Sequence, residues 1–382
     1  MNMLYLDHAA TTPLAPDVLE AMTPFLVEYY GNPNSLHQAG RATRRAIEDA
    51  RQEVATLIGT EPHQIIFTGG GTAADNLAVK GVAQARQSHG KHIITSTIEH
   101  PAVLNACRWL ETQGFEVTYL DVDSDARIDA QSVRDALKDD TILVTLMLAN
   151  NEVGTIQPLA EIGKLLTGHQ AYFHTDAVQA IGHIPIDVDE LGVDLLSLTG
   201  HKFYGPKGVG ALYVRDGVEL DPMLHGGGQE RNLRSGTENI AGIVGLGAAS
   251  KLGRETMNEV QLRITQLRDR LISGVLDNIE GSHLIGHPTE RLPGSVALAF
   301  DDLMGESLLL KLDMEGICVS TGSACSSGHM DPSHVLVAMG LSTDLANGSV
   351  RITLGRSTTD QDIDRVLDIL SEAVAQVRKM AF

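Results

Sequence analysis

The sequence predicts an α/β fold: a large domain with a mainly parallel sheet flanked by helices, plus a smaller α+β C-terminal domain. Three observations carry that reading. Strand-like and helix-like segments alternate from Gln64 to Leu148, the order that gives a parallel sheet covered by helices. The 382 residues exceed what one hydrophobic core usually supports, so two domains are the default. A polar helical stretch from Asn258 to Leu276 carries Val260, Ile264, Leu267 and Leu271 on one face, as expected of an arm joining two domains.

The elements follow in order. Arg41 to Gly59 has Ile47, Ala50, Val54 and Leu57 at helical spacing, and Gly59 stops it. Gln64–Phe67 is a short buried strand that runs into the turn Gly69-Gly70-Gly71-Thr72, followed by a helix from about Ala73 to Gln87. The strand His92–Ser96, a helix at Val103–Thr112, the strand Phe115–Leu120, a helix at Ala130–Lys138 and the strand Thr141–Leu148 come next, and Ala171–Asp176 is strand-like again. Closer spacing from Leu195 to Asp221 implies added strands. Ser295–Phe300, Leu308–Leu312, Ser349–Leu354 and a helix at Asp360–Val377 then form the compact C-terminal unit.

Composition excludes several classes. A formal charge of -20 argues against a nucleic-acid footprint and against anionic membrane. No apolar run approaches the ~20 residues of a membrane span, and the start, MNMLYLDHAATT, does not read as a secretory signal. The three cysteines, Cys107, Cys318 and Cys325, are an odd and sparse set, which fits a reducing, cytoplasmic setting. With 4% aromatic residues the core must be aliphatic.

The chemistry centres on SLTGHKFYGPKG, Ser197 to Gly208. Lys202 lies in a Gly-bounded loop directly after an apolar stretch, where burial beside a cofactor frees an amine for Schiff-base formation. Asp176, ending a strand, reaches the same pocket. A lysine plus a carboxylate for a pyridinium nitrogen is what pyridoxal 5'-phosphate needs as an electron sink. The turn TGGGTAADN, Thr68 to Asn76, suits a phosphate, since small residues and a helix N-terminus present N–H donors and Thr72 adds a hydroxyl. Its degenerate G-x-G-x-x-A pattern is weak support for a dinucleotide, and the next strand ends without an acidic residue to hold a ribose. His100, between a strand and a helix, could stack on the cofactor ring and shuttle protons. Cys325, among small polar residues, has the setting of a reactive thiol, whereas Cys318 has a buried context and Cys107 lies in a helix. Cys325, His329 and His334 match no standard zinc spacing, so no metal is expected. Arg356, after a strand, suits capture of an amino-acid carboxylate, with a surface salt bridge as the bland alternative. HGGG at His225–Gly228 has no accompanying G-x-S-x-G, which excludes the hydrolase reading.

With YLDHAATTP, YGNPNSLH, IEHPAV, NNEVGTIQP, HTDAVQ, GHKFYGPKGVGALYVR, HGGGQERNLRSGT, STGSACSSG and RITLGR in this order, the chain resembles the cysteine desulfurases of the NifS/IscS type, class-V members of the fold-type I pyridoxal phosphate enzymes, over nearly its whole length. The resemblance implies a large domain at 14–257 and a small one at 1–13 and 258–382, the latter carrying the cysteine loop at about 320–334. It implies that Lys202 binds the cofactor covalently, that Asp176 pairs with the ring nitrogen, that Gln179 approaches the phenolic oxygen and that His100 stacks on the ring. Gly71, Thr72, Thr199 and His201 would hold the phosphate, with Thr237 reaching the partner's phosphate in a homodimer. Asn151, at the cofactor, and Arg356 would orient the substrate L-cysteine, and Cys325 would accept its sulfur for delivery to an acceptor protein such as an iron–sulfur scaffold. Ala73 stands where the family commonly has Glu. The chain stops at Phe382, soon after its last helix, so docking through the longer tail of IscS-type members is not expected. A selenocysteine lyase or class-V transaminase is the nearest rival, and a transaminase needs no exposed cysteine.

Overall fold

The computed structural model describes residues 3–321 and 332–380; Cys325 and His329 lie outside them. Among the described residues the strands are β1 (Leu4–Tyr5), β2 (Ile65–Thr68), β3 (His92–Ser96), β4 (Glu116–Leu120), β5 (Thr141–Thr145), β6 (Tyr172–Asp176), β7 (Leu195–Thr199), β8 (Gly210–Val214), β9 (Ser282–Leu284), β10 (Ser295–Phe300), β11 (Ile317–Cys318) and β12 (Ser349–Thr353). A seven-stranded sheet has the order β2-β8-β7-β6-β5-β3-β4. Its neighbours from β4 through β7 are parallel, while β8 runs antiparallel between β7 and β2. Strands β3, β5 and β7 are buried at every residue, because helices cover both faces of a parallel sheet and leave no solvated side. The carboxyl ends of β2, β3, β5, β6 and β7 therefore open at one edge, where ligands of such sheets bind.

Strand β5 ends three residues before the predicted Leu148. The chain leaves regular pairing there, although the Leu146 and Leu148 N–H groups still donate to the carbonyls of His174 and Asp176 at 3.1 and 2.9 Å. The helix after β2 spans Gly71–Arg86, two residues earlier than Ala73. Gly70, with φ of +144°, makes the turn, so Gly71 and Thr72 already form the first helical turn.

The predicted arm is the second half of one helix, Ile240–Asn278. Its first half packs on the helix Gln38–Leu57, and a Cβ at Gly247 would sit 2.6 Å from the Ala50 Cα, so glycine there sets the close approach. Its second half enters a separate apolar core with Ile264, Leu267 and Leu271 against Leu6, Val296 and Ile352. That core packs on the antiparallel sheet β12-β10-β9 and on the β1–β11 pair. No described helix is long and apolar enough to cross a membrane.

Candidate active site

Several sequence segments deliver side chains to the open edge of the large sheet. Strand β6 ends in Asp176, and β7 runs through Thr199 into a single 3-10 turn, Gly200–Lys202. The turn after β2 supplies Gly71 and Thr72, and His100 caps the helix Pro101–Thr112 by accepting the Ala102 N–H at its Nδ1. A cavity of about 270 Å³ is lined by Gly71, Thr72, His100, Asn151, Asp176, Gln179, Thr199, His201 and Lys202. The pocket also takes Ala9, Ala10, Asp75, Met147 and Arg351, which do not stand out as site residues in the sequence.

Contacts fix the side chains around this space. Lys202 Nζ donates to the carbonyls of Ala9 and Ala10 at 2.6 and 2.9 Å, and Gln179 Nε2 donates to Ala9 at 2.9 Å. The N-terminal segment DHAA thus closes the pocket from one side. Thr199 Oγ1 donates to the Val209 carbonyl at 3.0 Å, and His201 Nδ1 meets Thr11 Oγ1 at 3.2 Å. A Cβ at Gly71 would come within 2.8 Å of Val178, so glycine keeps the helix start close to the β6 end. The first turn of the 16-residue helix thereby faces the cavity with free N–H groups and positive dipole, a phosphate cradle.

The cavity floor collects acids. Asp75, His100 and Asp176 each bring a ligand-type atom within 4.8 Å of the others. Burial raises the Asp176 carboxyl above its usual range, opposed by His100, the Val178 N–H at 2.9 Å and Lys202. Burial and the Asp176 charge push Asp75 well up, and its Oδ1 has no hydrogen-bond partner. Glu99 is pushed to about 8 by burial. Its Oε1 takes the Ser96 hydroxyl at 2.7 Å and the Met147 N–H at 2.9 Å, while Oε2 has no partner. His100 is lowered by burial and by the Lys202 and His334 charges, and His201 is lowered to about 4 chiefly by burial. Buried carboxylates that repel one another are poised for a cationic group between them. A covalently held pyridine ring with a phosphate fits this set: lysine at one end, Asp176 for a ring nitrogen, the orphaned Asp75 oxygen behind it and the glycine cradle for the phosphate.

Arg356, expected at the substrate carboxylate, does not line this cavity. Its guanidinium carbon sits 5.4 Å from the Tyr204 ring centre and its backbone N–H donates to the Tyr204 hydroxyl at 2.7 Å, beside a separate cavity of about 30 Å³. The arginine that reaches the pocket is Arg351, on β12. It donates to the Asn151 carbonyl and to Asp7, both at 2.9 Å, and its buried Nε is unpartnered. Strand alternation places Arg351 inward, whereas Arg356 follows the strand end.

Thr237 is exposed and does not line this cavity. Cys107 is buried and its thiol is pushed up to about 12, chiefly by burial. Cys318 is half-buried, less enclosed than its apolar neighbours imply. The expected nucleophile Cys325 falls outside the described residues, and downstream of it Ser333 and His334 bond to Glu152 and to the Glu99 carbonyl. His334 Nε2 is thereby engaged at 3.0 Å.

A lysine, an aspartate and a phosphate cradle at the edge of a parallel sheet define a pyridoxal phosphate enzyme, and comparison with known proteins agrees. The model of the aminotransferase class-V family matches residues 4–366. The chain is 53% identical over 378 residues to the cysteine desulfurase IscS of Methanosarcina thermophila, covering 99% of this chain and 93% of the relative. A solved NifS-like protein superposes with a TM-score of 0.93 at 39% identity, covering 98% of this chain and all of that one. A structure of SspA in complex with cysteine gives 0.82 at 38% identity, covering 93% and 100%. The chain belongs to the aminotransferase class-V family. Within it the chain is a cysteine desulfurase of the NifS/IscS type, and its cofactor is pyridoxal 5'-phosphate.

Proposed function

We propose that this cavity removes sulfur from L-cysteine, leaving L-alanine and a persulfide on Cys325, with the following residue roles. The cofactor, when bound, supplies an electron sink for negative charge at the substrate Cα. Arg351, buried and with an unpartnered Nε, captures the substrate carboxylate, and Asn151 steadies it through its carbonyl contact to the same guanidinium. Lys202 Nζ moves the Cα proton. Asp176 would keep the ring nitrogen of a bound cofactor protonated, with Asp75 as a second buried acid beside Asp176. His100, with Nδ1 occupied by the Ala102 N–H, presents its ring and Nε2 to the cavity. Gly71, Thr72, Thr199 and His201 take the phosphate, and Gln179 borders the ring. The Cys325 thiolate forms a bond to the substrate sulfur as the substrate Cβ–S bond breaks, and the carbon fragment takes up a proton and leaves as alanine. The solved relative holding cysteine supports that substrate.

A homodimer completes the site in this reading, with Thr237 crossing to the partner's phosphate. Its exposure away from its own pocket supports this, as do the exposed Leu26, Val27, Tyr30, Leu36 and Leu224. The persulfide then passes to a sulfur-acceptor protein such as an iron–sulfur scaffold, in the cytoplasm that the sparse cysteine set favours.

The observation that carries the reading is the single 270 Å³ space shared by Lys202, Asp176, His100 and Arg351. Release of alanine and sulfide from L-cysteine with a reductant tests it. Lys202→Ala should show no turnover. Arg351→Ala should raise KM for cysteine at least about 10-fold, the loss of a charged hydrogen bond, while Arg356→Ala changes it less. Turnover by Lys202→Ala, or the reverse order for the two arginines, would contradict these roles.

A further inference from the structure

The segment before Thr237 holds an unusual strain. Glu230, Arg231 and Asn232 have φ of 45°, 56° and 67°, three successive non-glycine residues in the left-handed region, and such strain persists only where surroundings enforce it. The enforcing contacts belong to Glu230. Its carboxylate accepts Arg51 Nη1 and Nη2, each at 2.8 Å, and the Phe67 N–H at 2.7 Å, with its side chain 2% exposed. Arg51 also donates to the Ile65 carbonyl at 2.8 Å and lies over the Phe67 ring. Both anchors sit on or against β2, the strand that leads into the Gly69–Thr72 turn. From this fixed point the link runs outward. Gln229 Oε1 accepts the Gly236 N–H at 2.8 Å, and Gly236, with φ of 113°, directly precedes Thr237.

We infer that Glu230 is a positioning residue for the other subunit's active site. Anchored on Arg51 and Phe67, it sets Gln229, and Gln229 holds the Gly236–Thr237 turn where the partner's cofactor phosphate needs it. The inference rests on the proposed crossing of Thr237. It adds that the same carboxylate braces the strand entering its own subunit's phosphate turn and shapes the segment that serves the partner, so one residue ties the two sites together.

Mixed dimers test it. One chain carries Lys202→Ala together with Glu230→Gln, and its partner is otherwise unaltered. The only lysine-bearing site then depends on Thr237 from the chain with the altered position 230. After loading with pyridoxal phosphate, dialysis and borohydride reduction, cofactor fixed to the Lys202 peptide reports retention, and thermal melting reports folding. Retention should weaken by about 10-fold, as for loss of a single phosphate contact. The reverse arrangement, Glu230→Gln on the lysine-bearing chain opposite a Lys202→Ala partner, should stay close to the unaltered value, because glutamine keeps an oxygen for the Phe67 N–H. Gln229→Ala leaves the Arg51 pair intact and should reproduce the same asymmetry without loss of folding. Equal weakening in both arrangements, or none in either, for both variants overturns the inference. Thr237→Ala placed across the interface serves as the reference. If it weakens retention while positions 229 and 230 do not, the inference alone falls. If it has no effect across the interface, the crossing itself is wrong and the inference falls with it.

Discussion

Two buried clusters of charge in this molecule obey opposite rules. Around Arg51 the charges are paired: Glu230 meets the guanidinium with two bonds of 2.8 Å and also takes a backbone N–H. Around Asp176 they are not. Asp75 and Glu99 each leave a carboxyl oxygen without a partner, burial raises all three acids, and the Asp176 charge raises Asp75 further. A satisfied cluster fixes structure; an unsatisfied one is held ready for a group that arrives later. In the proposed reading, the cofactor ring with its positive nitrogen would relieve the second cluster. Removing acids from it should therefore cost activity rather than folding, whereas at the first cluster the larger cost should fall on folding.

The largest effect on folding is expected at the paired cluster. Glu230→Ala leaves the buried Arg51 guanidinium with only the half-exposed Glu48 carboxylate at 3.1 Å and should cost about 3 kcal/mol of stability, read by denaturant unfolding. A loss under about 1 kcal/mol would show that solvent reaches Arg51 and that the contrast is false. Asp176→Asn should reduce turnover at least ~100-fold, as for other preorganised electrostatic partners, while the cofactor-free protein melts no lower than the unaltered one. A large drop in melting temperature would place Asp176 with the structural charges.

The smallest effect is a slope in pH. Glu99 has a folded pKa of about 8 against 4.5 for the free side chain, so the folded state holds its proton more tightly than the unfolded chain. Its contribution is fully present below about pH 4.5 and is lost as pH rises toward 8, by up to roughly 1.4 kcal/mol per pH unit. Glu99→Gln keeps the acceptor for the Met147 N–H and should flatten that part of the stability curve. Parallel curves for the two proteins would show that Glu99 is ionised throughout.

Sequence reasoning reached the parts of this contrast that local pattern encodes. Lys202, Asp176, His100 and the Gly71–Thr72 cradle sit at junctions of strand and helix, where periodicity changes and small residues cluster. Asp75 escaped because it lies within helical spacing, and only the packing of that helix on β6 and β7 brings it beside Asp176. Arg351 escaped for a similar reason: its direction depends on the pairing of β12 with β10, whereas Arg356 drew notice by following the strand. The first half of the helix Ile240–Asn278 was not legible because Gly242, Gly245 and Gly247 disfavour an isolated helix. Close packing overrides that cost, as at Gly247 against Ala50. The Arg51–Glu230 pair joins residues far apart in sequence and has no local signature.

Mass spectrometry of the unaltered protein after brief exposure to L-cysteine tests the central claim most directly. One added sulfur, removable by reductant, should appear on the Cys325 peptide, with alanine released in equal amount and no such sulfur formed in Lys202→Ala. Sulfur on Cys107 or Cys318 instead, or alanine formed without any sulfur on Cys325, would contradict the assignment.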